Sequence, residues 1–284
     1  MTPEIAVAEK QSKRVAVVIV SLNRVKQLRQ SLETLGEAGI EAHQVIVVDN
    51  GSTDGSAFAG DDFPGVRSMR LPKNFGSTKA LNVGLRTAES EYILFLHDDA
   101  RISGESVTRL ADYLEAHPEA YGVCPRLTDA AGNPVPQVSA LPAPGNINPL
   151  LQVPKSESEE VAAECVSGAA VMYTAFFIRA LRQIDERYGD YGGNLDLCAQ
   201  TRRAGKKIVI LRNITAIHES LASPVAQNLL DGDRAAGTAV FLAKYHGFMV
   251  SLLYRLKTAL GAIFTFRFGV AAGALSGQKI DGSA

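Results

Sequence analysis

The hydrophobic positions of this chain follow two rhythms. Nearly unbroken apolar, β-branched runs occur at RVAVVIVSLN (14–23), HQVIVVDN (43–50) and YILFLHDD (92–99), with a shorter run at GVRSMRLP (65–72). Runs of this length predict strands buried on both faces, as in a parallel sheet. Between them, VKQLRQSLETLGEAG sets Leu28, Leu32 and Leu35 at helical spacing and stops on glycine. GSTKALNVGLRTAES repeats the pattern with Ala80, Leu81 and Leu85. Strand–helix alternation with short connections predicts an α/β layered fold with a mainly parallel sheet flanked by helices.

The second half is less regular. A helix is expected at about 105–116 and a strand in HPEAYGVCPRL (117–127). A Pro-, Gly- and Asn-rich stretch (132–156) then interrupts the pattern, and loops of that length are usually functional or mobile. AECVSGAAVMYTAFFIRAL (163–181) reads as a strand running into a helix. DLCAQTRRAGKKIVILRNITAIHES (196–220) reads as a helix stopped by Gly205, then a strand with a polar exit at His218. Residues 1–13 read as a flexible lead-in without the apolar core of a secretory signal.

Composition adds little except by exclusion. With 29 Lys and Arg against 30 Asp and Glu, the net charge of −1 gives no reason to expect nucleic acid as a partner. Cys124, Cys165 and Cys198 are scattered, odd in number and without metal-ligand spacing. They read as reduced core thiols, in keeping with a cytoplasmic setting.

The chemistry gathers where strands end. In open α/β sheets, ligands bind beyond the carboxyl ends of the strands. Three polar clusters stand there: Leu22-Asn23, Asp49-Asn50-Gly51 and His97-Asp98-Asp99. Two adjacent aspartates after a buried strand need a partner, since ionised carboxylates are seldom buried alone. A hard divalent ion such as Mg2+ or Mn2+ would supply one. The alternative is a pair of exposed acids opening a loop.

In order along the chain, VVDNGSTDGS, NFGSTKALNVGL, LFLHDDA, SGAAVMYTAFFIRAL and DLCAQTRRAGKK resemble the motifs of family 2 glycosyltransferases, over roughly residues 14–220. The resemblance implies an A-type glycosyltransferase fold over residues 14–225, with a nucleotide-binding part (14–100) and an acceptor part (101–225). It implies an inverting, metal-dependent transferase that moves a sugar from a UDP-, dTDP- or GDP-sugar to a polysaccharide or lipid-linked acceptor in cell-surface glycan synthesis. Asp49 matches the carboxylate that reads base and ribose, or else it caps its own turn. Asn74, Gly76, Lys79 and Asn82 match the lining of the nucleotide cleft, or else serve loop-to-helix geometry. Asp99 matches the metal-holding aspartate, with Asp98 on ribose or behind the metal. His218 matches a histidine that can join the shell, Mn2+ accepting imidazole more readily than Mg2+. Gly168, Ala169 and Ala170 match a small-residue stretch near the transferred sugar, or simply allow close packing.

One departure stands out. Inverting members carry a Glu-Asp pair whose aspartate takes the acceptor's proton, and here Gly193-Asn194 occupies that place. An amide cannot take that proton. Asn194 is expected to cap the helix that follows, and Asp190 and Asp196 are the nearest acids able to substitute as base. A nucleotide-sugar-binding protein without catalysis is the competing expectation.

The segment 226–284 is expected to form an apolar helical extension. It carries Arg255, Lys257 and Arg267 and has no acid between Asp233 and Asp281. Such a basic, apolar segment suits peripheral attachment to the inner face of a membrane, or else packing on the core or in a homodimer.

Overall fold

The computed structural model describes residues 13–37, 43–156 and 158–282; most of the expected lead-in lies outside them. The N-terminal half alternates as the hydrophobic pattern requires. β1 (Val15–Ser21), α1 (Val25–Gly36), β2 (Gln44–Asp49) and a single turn α2 (Ser56–Ala59) precede β3 (Val66–Arg70), α3 (Ser77–Leu85) and β4 (Tyr92–His97). A two-residue strand β5 (Ala100–Arg101) leads to α4 (Gly104–Ala116) and β6 (Ala120–Thr128). The irregular stretch then holds only β7 (Val138–Ser139). After it come β8 (Glu160–Ala163), β9 (Cys165–Val166), β10 (Ala170–Thr174), α5 (Ala175–Ala180), α6 (Gly193–Arg203) and β11 (Lys207–His218). Three helices close the chain: α7 (Gln227–His246), α8 (Phe248–Phe264) and α9 (Phe268–Ser276).

The main sheet runs β3-β2-β1-β4-β10-β6-β11-β5, with β8 on the far side of β11. β3, β2, β1 and β4 are parallel, whereas β10 enters antiparallel between β4 and β6. Parallel strands buried on both faces must be apolar throughout, and β1 is buried at six of its seven positions. Its alternate side chains feed two cores. Val15, Val17 and Ile19 pack with Leu28, Leu32 and Leu35 of α1, while Ala16 and Val18 face Ala80 of α3. α3 lies tight against the sheet because Gly84 has no side chain; a Cβ there would stand 2.5 Å from Val18 Cγ1.

The interrupted stretch is more anchored than its composition suggests. β7 pairs with β9, and the buried Gln137 donates to Pro125 O (2.6 Å) and accepts from Leu127 N (3.1 Å). All three cysteines are buried and free.

α7 joins the closing helices to the layered part through charge. Lys244 reaches Asp185 (3.0 Å) and Asp196 (2.9 Å), and Asp196 also accepts from Tyr245 and Tyr188. At the other end of α7, buried Asp233 accepts from Tyr191 N (2.7 Å) and Ile280 N (2.9 Å), clasping the segment before α6 to the tail after α9. No helix among the described residues is long and apolar enough to cross a membrane.

Burial opposes ionisation of Asp185, yet hydrogen bonds from Arg187 and Lys244 win and hold its carboxyl below the usual range. A depressed carboxylate pKa stabilises the fold above its unfolded value and loses that effect as pH falls through the folded value. Asp185→Asn should therefore cost about 1–2 kcal/mol at neutral pH, lowering Tm by roughly 2–6 °C. The gap from the wild type should close as melting is followed below about pH 4.

Candidate functional site

Strand pairing assembles the acidic tip. The chain turns over Asp98 and Asp99 into β5, which pairs antiparallel with the end of β11, setting His218 opposite Ala100. His218 Nε2 thereby comes 3.3 Å from Asp99 Oδ1, and His97 Nδ1 stands 4.0 Å from the same oxygen.

The two aspartates have different surroundings. Asp98 turns back toward β1. Its Oδ2 accepts from Ser21 Oγ (3.0 Å) and Leu22 N (3.3 Å), and its Oδ1 from Arg24 (3.1 Å). Asp99 Oδ2 accepts from Leu221 N (3.0 Å) and lies 2.9 Å from Arg24 Nη1. Asp99 Oδ1 is buried with no aligned hydrogen-bond donor. Burial raises the Asp98 carboxyl despite Arg24 and Ser21. The same burial at Asp99 is outweighed by His218, His97 and Arg24, which bring it down to about 2. The tip thus holds one carboxylate with an open, ionised oxygen.

That oxygen belongs to a group fit for a divalent cation. Ligand atoms of His97, Asp99 and His218 lie within 4.8 Å of one another. A buried anionic oxygen facing two imidazole nitrogens is a donor set suited to a divalent cation, and the two imidazoles favour a borderline ion over Mg2+. Ser220 Oγ lies 3.0 Å from His218 Nδ1, a hydrogen bond that directs Nε2 toward Asp99.

A second open oxygen stands at the end of β2. Asp49 Oδ2 accepts from Ser52 N (3.2 Å), so the turn-capping bond exists. Asp49 Oδ1 is buried without a partner. Next to it, Asn50 donates to Asn74 Oδ1 (2.9 Å) and accepts from Phe75 N (3.0 Å), while Asn74 Oδ1 also takes Gly76 N (2.9 Å). These amides fold the loop before α3 over the β2 end. Gly76 has φ of +81°, and a Cβ there would lie 2.4 Å from the carbonyl of Ile280. Lys79 rests over the Phe75 ring, 4.5 Å from its centroid. Asn23 has φ of +52° and accepts from Thr53 N (2.7 Å), tying the β1 end to the turn after β2.

Other expected residues lie elsewhere or act otherwise. Asn82 is buried and its amide is spent on Ile184 N, Ile184 O and Glu186, so it bridges α3 to the 184–186 segment rather than lining a cleft. Ala169 is fully buried; its carbonyl accepts from His97 N (2.8 Å) and its N–H donates to Ser167 Oγ (3.3 Å). Gly168 stays partly open beside Asn194, whose Cγ would be 3.4 Å from an added Cβ. Asn194 is not the cap of α6. That place falls to Gly192 at φ +110°, and Asn194 instead donates to Val166 O (2.6 Å) with its Oδ1 buried and unpaired. Asp190 Oδ1 accepts from Ser77 N (2.6 Å) and Ser77 Oγ (2.7 Å), bracing the start of α3 beside Gly76. Asp196 is buried against Lys244, Tyr188 and Tyr245, its oxygens engaged away from the strand ends.

The site also contains residues that the motif reading passed over. Arg24, from the loop after β1, contacts both tip aspartates and donates through Nη2 to Leu221 O and Ala222 O. His97 joins His218 around Asp99; the imidazole in the first place of the acidic triplet was its available signal. Asn50 organises the loop before α3 rather than only its own turn.

Comparison with known proteins agrees with this geometry. The family model described as glycosyl transferase family 2 matches residues 16–173. An uncharacterized glycosyltransferase of Haemophilus influenzae is 29% identical over 104 residues, 36% of this chain and 35% of that protein. This chain thus matches only about a third of that relative's length. The N-acetylglucosaminyl-diphospho-decaprenol L-rhamnosyltransferase of Mycobacterium tuberculosis is 23% identical over 260 residues, covering 81% of this chain and 84% of that one. In fold, the chain is similar to the mannosyltransferase PcManGT of Pyrobaculum calidifontis, solved with GDP-Man and Mn2+. There the TM-score is 0.57 at 16% identity, over 93% of this chain and 74% of that one. With the family model covering more than half of its length, the chain belongs to glycosyl transferase family 2.

Proposed function

We propose that the protein transfers a sugar from a UDP-, dTDP- or GDP-sugar to a polysaccharide or lipid-linked acceptor in cell-surface glycan synthesis, with inversion, at the cytoplasmic face of a membrane. The observation that carries this reading is Asp99 Oδ1, ionised and buried between the imidazoles of His97 and His218 at the end of β4. His97, Asp99 and His218 would hold a divalent cation, Mn2+ by the chemistry of the donor set. When bound, that cation supplies positive charge against a diphosphate.

The chain's own residues account for the remainder. Asp49 Oδ1 is free to accept from a base N–H or a ribose hydroxyl. Arg24 pairs with Oδ1 of Asp98 and Oδ2 of Asp99, which leaves Asp99 Oδ1 to the two imidazoles. Gly168, partly open and without a side chain, lets a ligand approach its backbone beside Asn194. The rhamnosyltransferase relative, whose name specifies a diphospho-decaprenol acceptor, and the Mn2+ and GDP-Man in PcManGT support the same classes of acceptor, metal and donor here.

The proton acceptor separates this from a second reading. Asn194 holds the place of the usual base, which favours a protein that binds its donor without turning it over. Of the two acids that could substitute, Asp190 stands beside the donor loop at Ser77, whereas Asp196 is buried in its own network. We assign the base to Asp190.

Two outcomes follow. Mn2+ with a nucleoside diphosphate should raise Tm by about 5–10 °C at a hundredfold excess over Kd. Asp99→Asn should abolish the Mn2+-dependent part and lower transfer by about a hundredfold or more; a full shift in that variant would refute the metal assignment. Asp190→Asn keeps an oxygen to cap α3, so transfer should fall by about 100-fold or more while Tm and donor affinity hold. Normal turnover by Asp190→Asn would refute the assignment of the base to Asp190, and a gain of activity in Asn194→Asp would show that this chain lacks the base at its usual place.

A further inference from the structure

Helix α8 is oriented contrary to the rule for a surface helix. Its buried positions are the small residues Ser251, Ala259 and Ala262, packed toward α7 and α9. Its large side chains point to solvent: Met249 (62% exposed), Leu253 (63%), Leu256 (47%), Leu260 (58%), Ile263 (48%) and Phe264 (82%). At 100° per residue these six fall on one stripe about 100° wide. Phe248, Phe266 and Phe268 extend it at both ends, each more than 60% exposed. A continuous exposed apolar surface of this kind marks an interaction site.

We infer that this face is a docking surface for an anionic lipid bilayer. The charges around it decide between occupants. Lys257 is exposed on the flank of the stripe, while Arg255 donates to Ala274 O (2.7 Å) and Arg267 pairs with Asp231, and there is no acid anywhere from Arg234 to Ile280. A second copy seated on this face would bring no acid from its own α8 or α9 to Lys257, whereas an anionic headgroup layer supplies the matching charge. An apolar stripe rimmed by aromatic residues and flanked by a lysine is what an interfacial helix inserts to the depth of the headgroups. The helix is not long and apolar enough to cross, so it lies on the surface rather than through it.

The same unit reaches the donor cleft. Beyond α9 the tail returns to Asp233 through Ile280 N, and the Ile280 carbonyl abuts Gly76 of the donor loop. Docking through α8 therefore fixes the cleft relative to the lipid surface. The inference rests on the proposed function only for the lipid-linked acceptor that the cleft would meet there.

The test is sedimentation of the full-length protein with phosphatidylcholine vesicles, with and without phosphatidylglycerol, beside Tm, oligomeric state and hydrolysis of the nucleotide-sugar donor. The protein should pellet with the phosphatidylglycerol vesicles and several-fold less with phosphatidylcholine alone. Leu256→Glu/Leu260→Glu should cut partitioning by about a hundredfold or more, with Tm and donor hydrolysis unchanged because both side chains are exposed. Lys257→Glu should lose only the preference for anionic vesicles. Equal pelleting of the double variant and the wild type would overturn the inference. So would a dimer that the double variant converts to monomer in the absence of any vesicle binding, since the face would then be a seam between copies. Failure of vesicle binding with normal hydrolysis refutes the surface alone; normal binding without hydrolysis refutes the proposed reaction alone.

Discussion

Two adjacent carboxylates and one guanidinium govern the site. Asp98 and Asp99 are both buried, and without compensation one would be driven to its neutral form. Arg24 stands between them, 3.1 Å from one and 2.9 Å from the other, and its second amino group fixes the carbonyls of Leu221 and Ala222. A single side chain from the β1 end thereby holds the β4 tip and the exit of β11 together. It leaves Asp98 as the structural acid, tied to Ser21 and Leu22, and Asp99 as the acid with an oxygen to spare.

A second constraint comes from the closing helices. They are joined to the layered part by Lys244 at one end of α7 and by Asp233 at the other. Asp233 binds the backbone of Tyr191, one residue after the Asp190 that braces Ser77, and it binds Ile280, whose carbonyl closes on Gly76. The loop before α3 is therefore walled on one side by Asn50 and Asn74 and on the other by the tail. A helical extension that reads as separable in sequence thus packs against a strand-end loop of the layered part.

Much of this was legible beforehand. The strands β1, β2 and β4 follow from apolar runs that only a doubly covered sheet can accommodate, and their polar ends marked the site at Asp49, Asp98 and Asp99. Side-chain direction was not legible. Asn82 sits on the helix that borders the cleft, but one face of α3 meets the 184–186 segment, and its amide is used there. Asn194 looked like a cap because amides favour that place, yet Gly192 can adopt a positive φ at no steric cost and takes it. Asp196 looked like a spare acid until α7 folded back and set Lys244 and Tyr245 against it.

The sequence by itself determined the mainly parallel character of the sheet, the acidic tip, the missing carboxylate at position 194 and the basic, acid-free character of the C-terminal segment. Those are properties of residue type and of local period, which need no partner to be read. Only the tertiary structure decided which oxygen of which aspartate remains open, that His97 and His218 converge on it, and that α8 turns its large side chains outward. The first two depend on pairings between residues more than a hundred positions apart, such as β5 with β11 and Arg24 with Leu221, and the third on α7 and α9 packing against the small residues of α8; local sequence carries no record of any of them.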